Sequence, residues 1–283
     1  MRPRCQTVAS CLAGRHQSFG SMSTPLVMED SGAMLATSRL FPIGAATMTP
    51  AMRSAHRYAH SLYACVKPWL QAPILEVGVG FGTYTGFLLQ HGPVVACDLD
   101  QTCLEQVHRK FPGAALSTVR VDLNDPASIR GLLRHQVRSI FTSNVLEHIA
   151  DDVAALGALR GSVGPATKLA IIVPAHPRLY GYLDKQAGHF RRYTRRSLAD
   201  ALDCSGWQVE RSFYINALGG LGWWLNHRFL PQRPLDSATV NAQLAIYDRV
   251  MVPLAQRTDL LFRRFFGLSV VAIASPRDPA ARV

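Results

Sequence analysis

The chain has 283 residues, 48% hydrophobic and 17% charged, which is ample for a buried core in one or two domains and too apolar for a wholly disordered protein. Its formal net charge of +11 speaks to association with nucleic acid, anionic lipid or an acidic substrate rather than to fold. Six cysteines without a C-x-x-C pair argue against structural zinc and for a reduced, cytoplasmic protein.

Residues 1–45 differ from the rest. No acid precedes Glu29, while Arg2, Arg4 and Arg15 are basic and Ser, Thr, Gly and Pro are frequent. Such an extension fits a transit-type segment, a disordered tail, or translated sequence upstream of an internal start such as Met22, Met28 or Met34. Residues 46–283 read as one catalytic domain. From Thr47 a helix is expected, with Tyr58, Leu62 and Cys65 on one face.

The run Ile74-Leu-Glu-Val-Gly-Val-Gly-Phe-Gly-Thr-Tyr84 is a strand that breaks into Gly78, Gly80 and Gly82. Glycines serve where backbone takes positive φ or must approach a ligand closely, and a following helix N-terminus offers free N–H groups. A helix is expected over Tyr84–His91. A second strand, Val94 to Asp100, ends in carboxylates, and Asp98 follows Gly78 by 20 residues, the spacing of an acid that accepts ribose hydroxyls in doubly wound sheets. Asp100 is assigned to capping the helix Gln101–Lys110.

Further strands are expected at Ser117–Val121, ending in Asp122, at Ser139–Val145, running into Asn144-Val-Leu-Glu-His148, and at Lys168–Val173. Strands alternating with helix-length segments predict a parallel sheet with ligand across the strands' carboxyl ends. The turn departs from G-x-G-x-x-G because its third glycine comes one residue early. Glu76 in the preceding strand would repel a pyrophosphate but suits a ligand carrying an ammonium and a sulfonium. Its other reading is a strand acid paired with a neighbouring base.

Over Ala46 to Pro276 the chain resembles the class I S-adenosylmethionine-dependent methyltransferases, in their small-molecule, type 11/12-like branch. The resemblance rests on Glu76-x-Gly78-x-Gly80-x-Gly82, Asp98, Asp122 and Asn144-Val-Leu-Glu-His148. It implies an α/β, Rossmann-like doubly wound seven-stranded sheet, mostly parallel with an antiparallel last strand. It also implies S-adenosyl-L-methionine as cofactor: the glycine turn with Glu76 at its methionine portion, Asp98 and Leu99 at the ribose, Asp122 and Leu123 at the adenine, and Asn144 and His148 on the methyl side. Tyr58 and Tyr63 on the leading helix are weighed as cofactor neighbours or core. Arg138 departs from the family by standing where relatives place an acid.

Beyond Pro174 the late loops should choose the substrate. Gly188-His189-Phe-Arg191-Arg192-Tyr193 resembles a Gly-His-x-Arg-Arg-Tyr element of a bacterial methyltransferase subgroup often found near glycosyltransferases. His189 is the candidate catalytic base, ahead of His148 and His176, against a structural histidine bonded to a loop carbonyl. Arg191 and Arg192 are candidate anion anchors or surface ion pairs. Thr194 reads as an N-cap for a helix with Leu198 and Leu202 on one face.

Strands are expected at Trp207–Ile215 and Leu268–Ser275. Between them, residues 217–266 form a helical insertion or lid containing Trp223 and Trp224, followed by His227 and Arg228, and an amphipathic stretch from Val240 to Leu261. The apolar run around the tryptophans, about a dozen residues, is short of the roughly 20 a membrane span needs. It suits a lid over an apolar substrate, a membrane-interface contact or core packing. The expected activity is methyl transfer to a small-molecule or lipid-like acceptor by direct displacement, without metal and with only peripheral membrane contact. The alternative is a non-catalytic cofactor-binding or basic scaffold protein. A nucleic-acid acceptor is disfavoured, since no Asn/Asp-Pro-Pro-aromatic segment or Pro-Cys nucleophile is present.

Overall fold

The computed structural model describes residues 55–229, 238, 242 and 245–278. Strands β1 (Ile74–Val77), β2 (Val94–Asp98), β3 (Leu116–Arg120), β4 (Ser139–Ser143), β5 (Lys168–Pro174), β6 (Trp207–Ile215) and β7 (Ser269–Pro276) form one sheet in the order 3-2-1-4-5-7-6. The first five run parallel. β7 lies between β5 and β6 and is antiparallel to both.

Helices α1 (His56–Val66), α2 (Thr85–Leu88), α3 (Gln101–Lys110), α4 (Pro126–Arg130), α5 (Asp152–Gly161), α6 (Tyr182–Gln186), α7 (Arg195–Cys204), α8 (Ala217–Phe229) and α9 (Val252–Phe262) complete the described elements. Parallel neighbours need crossover connections, and these place helices on both sheet faces. One core packs Leu75, Val77, Ile140 and Ile171 against Ile129, Leu156, Leu159, Leu198 and Leu202 of α4, α5 and α7. The other packs Ile74, Val94, Phe141 and Ile172 against Leu62, Tyr63 and Val66 of α1 and Leu88 of α2. Being covered twice, the central strands are almost wholly apolar, and the acid within β1 therefore stands out.

Local chemistry sets the element ends. Asp100 accepts the Thr102 N–H at 2.9 Å and caps α3, and Thr194 accepts the Ser197 N–H at 3.0 Å and caps α7, both as expected. The helix after the glycine turn is shorter than expected: one α-turn, then a 3-10 turn over Leu89–His91 that ends at Gly92 with φ 128°. An internal Gly86 and the Gly92-Pro93 stop leave no length for more.

Arg138 finds its partner outside the sheet, donating to Gln71 Oε1 at 2.7 Å. Tyr63 is core, stacked on Phe87, and Tyr58 packs edge-on against Tyr247. Cys65 and Cys97 are free thiols. The N-terminal extension over residues 1–45 lies outside the described residues, as do the His227 and Arg228 side chains and most of residues 240–244. Among the described residues no helix is long and apolar enough to cross a membrane.

Candidate active site

The sheet order reverses between β1 and β4, the place where loops at the carboxyl ends part and leave a crevice. The β1 loop is the glycine turn. Gly78, Gly80 and Gly82 have φ of 76°, 47° and 65°, a region disfavoured for side chains other than glycine. A Cβ on Gly78 would lie 2.2 Å from Val145 Cγ2, so the two loops flanking the crevice meet with no room for a methyl group.

Alternation along β1 sends Glu76 to the same face as Ile74, under the start of α2. It is 1% exposed; Oε2 accepts the Thr85 hydroxyl at 2.7 Å and Oε1 has no partner. Burial pushes its carboxyl up to about 8, against the pull of the Thr85 bond. Asp98, at the end of β2, ties the turn in place: Oδ2 accepts the Gly80 N–H at 2.9 Å and Oδ1 the Asp100 N–H at 2.9 Å. Its pKa is raised by burial, with those two amides opposing. Lys110, which the sequence did not single out, donates to the Phe81 and Gly82 carbonyls at 3.3 and 3.2 Å.

The Leu99 carbonyl accepts the Arg120 Nε–H at 3.1 Å. Beyond β3, Asp122 Oδ1 accepts the Asn124 N–H at 2.8 Å, a local turn that presents the Leu123 backbone. Leu123 itself packs against the core.

Beyond β4, Asn144 takes φ 54° and the chain enters a 3-10 turn over Leu146–His148. This turn meets the segment 184–193: the Phe190 N–H donates to the Glu147 carbonyl at 2.7 Å, and the His148 and His189 rings pack edge to face at 4.7 Å. His189 Nδ1 is 2.8 Å from Asp184 Oδ1, which also accepts the Arg192 Nε–H at 2.7 Å. Asp184 Oδ2 accepts the Gly181 N–H at 2.9 Å. Burial works to raise the Asp184 carboxyl, but His189 and Arg192 outweigh it and hold it below the ordinary carboxylate range. His189 Nε2 then points inward, 3.9 Å from Glu147 Oε1.

The arginine pair is not available as an anion anchor. Arg192 is buried on Asp184, with its guanidinium 4.8 Å from the Trp223 ring centre. Arg191 pairs with Asp152 at 2.8 Å and donates to the Ala150 carbonyl. Trp223 donates to the Leu179 carbonyl at 3.1 Å and is half-buried, whereas Trp224 is exposed. His176, with φ 58°, stacks between Tyr214 and Phe266. Sequence reasoning missed Thr85, Lys110, Glu147 as a separate group, and Asp184. Asp184 lies five residues before His189, a spacing that announces no contact by itself.

A protein family described as "Methyltransferase domain" matches residues 75–171, the stretch from the glycine turn to β5. Among solved structures, the [4+2]-cyclase SpnF superposes with a TM-score of 0.52 at 12% identity, covering 78% of this chain and 80% of its own. The methyltransferase in a complex with the Haloferax volcanii Trm112 methyltransferase activator gives 0.51 at 13%, covering 80% and 90%. The CurJ carbon methyltransferase gives 0.50 at 14%, covering 79% and 54%. Likeness at such identity establishes the fold alone. No curated protein matches the chain in sequence.

The architecture is the Rossmann-like class I methyltransferase fold. With the family match across the site-bearing half of the sheet, the chain is an S-adenosylmethionine-dependent methyltransferase, and its cofactor is S-adenosyl-L-methionine.

Proposed function

We propose that the chain methylates a small-molecule or lipid-like acceptor seated between the Asn144–His148 turn and the segment 184–193. The observation that carries this reading is His189, held through Nδ1 by the buried Asp184 with Nε2 left 3.9 Å from Glu147 Oε1, beyond β4 where the cofactor's methyl side is expected. When bound, the cofactor supplies an electrophilic methyl on a cationic sulfur and leaves as S-adenosylhomocysteine. The chain's own work is alignment, exclusion of water and, for a hydroxyl acceptor, removal of its proton by His189 Nε2. An amine acceptor needs no dedicated base.

For the cofactor, Gly78, Gly80 and Gly82 give the close backbone approach that the methionine portion requires, and Glu76 with its unpartnered Oε1 suits the ammonium. Asp98 takes the ribose: each of its oxygens accepts one backbone N–H and keeps a lone pair for a hydroxyl. Leu99 flanks the ribose, Asp122 and the Leu123 backbone the adenine, and Asn144 and His148 the methyl side.

A lipid-like acceptor and peripheral membrane contact are favoured by exposed apolar residues on α8, Trp224 and Leu225, and at the end of α9 and just after it, Leu260, Leu261, Phe262 and Phe265, the latter group interspersed in sequence with exposed Arg263 and Arg264. The test is incubation of the purified chain with methyl-labelled cofactor and separated aqueous and lipid extracts. Label is expected in one species of the lipid fraction. His189→Ala should lower kcat at least ~100-fold with cofactor affinity unchanged. Full activity in that variant removes the base, and no transfer in either fraction removes the reading.

A further inference from the structure

We propose that Glu147, His148 and His189 form a binding site for a single divalent transition-metal ion. One ligand atom from each lies within 4.8 Å of the other two. Glu147 is fully buried, and neither of its carboxylate oxygens has a hydrogen-bond partner. An ionised carboxylate so placed is expensive unless a cation meets it. His189 Nε2, 3.9 Å from Glu147 Oε1, is outside hydrogen-bond reach.

His148 Nδ1 is likewise buried without a partner. Two buried unpartnered side chains, an acid and an imidazole, thus face one point. His189 completes the set, and its other nitrogen is on Asp184 at 2.8 Å. A carboxylate behind a ligating histidine is the arrangement that fixes the ring and raises its basicity toward a metal.

The local charge allows a cation. Among the described residues Glu147 and Asp184 are the acids of this cluster, and the guanidinium of Arg192 is already committed to Asp184 and the Ala175 carbonyl. Two imidazoles and one carboxylate select zinc, cobalt, iron or nickel over calcium or magnesium. Ligands about 2.0–2.2 Å from a tetrahedral ion sit roughly 3.4 Å apart, so the 3.9 Å gap must close by about half an ångström and a pair at the 4.8 Å bound by more than about 1 Å.

Three protein ligands leave at least one coordination position open. Resting on the methyl-transfer reading, that position would seat an acceptor oxygen, so the acceptor class becomes a hydroxyl- or carboxylate-bearing molecule; with the ion bound, His189 Nε2 is a ligand and a hydroxyl's proton, made acidic by the metal, leaves to solvent, while in the ion-free chain His189 Nε2 takes that proton as base. The binding of the ion itself does not depend on that reading.

The experiment uses the full chain, stripped with chelator and titrated with Co²⁺, followed by visible absorption and calorimetry, with cofactor affinity measured on the same sample. One Co²⁺ per chain with ligand-field bands is expected. Glu147→Gln should weaken uptake at least 100-fold and Asp184→Asn about 10-fold, with cofactor affinity unchanged in both. If Glu147→Gln is poorly folded by circular dichroism, His148→Gln replaces it, with the same loss expected. No saturable uptake by the folded wild-type chain, or uptake unaltered in the ligand variants, overturns the site. Failure to bind cofactor would count against the proposed function and not against the metal.

Discussion

At the residue scale, the glycine turn is constrained by sterics as well as by ligand chemistry. Gly78→Ala would force a methyl into Val145 Cγ2 and hold an alanine at φ 76°, so stability should fall by about 1–3 kcal/mol in urea unfolding. Adding Val145→Ala should return part of that loss, because it removes the clash but not the strained dihedral. A double variant no more stable than the single one would mean that the loops are held apart by something else. This turn was legible because positive φ and close approach select one residue type, and Gly78, Gly80 and Gly82 carry that signal by themselves. Asp184 was not legible. Its role comes from two residues, His189 and Arg192, converging on one oxygen, and neither spacing nor composition encodes that convergence.

At the element scale, strands read well and short helices did not. β6 was located over its full length, Trp207–Ile215, although it is an edge strand of mixed burial, because its aromatic and β-branched residues run between Gly206 and Asn216, both at positive φ. α2 was overextended, because a helix of four residues shows no periodicity to measure. The junction between β6 and α8 was also invisible in the sequence. There Asp259 of α9 accepts the Asn216 N–H at 2.8 Å and the Ala217 N–H at 2.9 Å, so a distant side chain caps the start of α8. Asp259→Ala should cost about 1 kcal/mol and speed hydrogen exchange at those two amides first. Exchange that rises equally throughout the sheet would show that α8 has no separate stability.

At the scale of the whole molecule, the buried acids set the response to pH. Glu76 and Glu147 are raised from 4.5 to about 8 and about 7 by burial, so their stabilising contribution is full below about 4.5 and is lost as pH rises through those values. His148, lowered to about 4 by burial and the neighbouring His189, acts in the opposite sense between about 6.5 and 4. Above pH 6.5 only the acids remain. Cofactor-free protein should therefore lose on the order of 1–2 kcal/mol between pH 6.5 and 8, at ~1.4 kcal/mol per proton per pH unit. Glu76→Gln should flatten that decline in thermal melts while weakening cofactor binding. A decline unchanged by the substitution would mean that Glu76 is not among its causes.

The antiparallel β7 has a consequence for biosynthesis. Among the described residues β6 pairs with β7 alone, and β5 presents an unpaired edge on that side until β7 fills it. While a ribosome is still translating towards Ser269, the nascent chain holds five paired strands and two unfilled hydrogen-bonding rims, the kind of template that recruits other chains. Chaperone dependence during translation, and insolubility of fragments ending before Ser269, are written into the strand order.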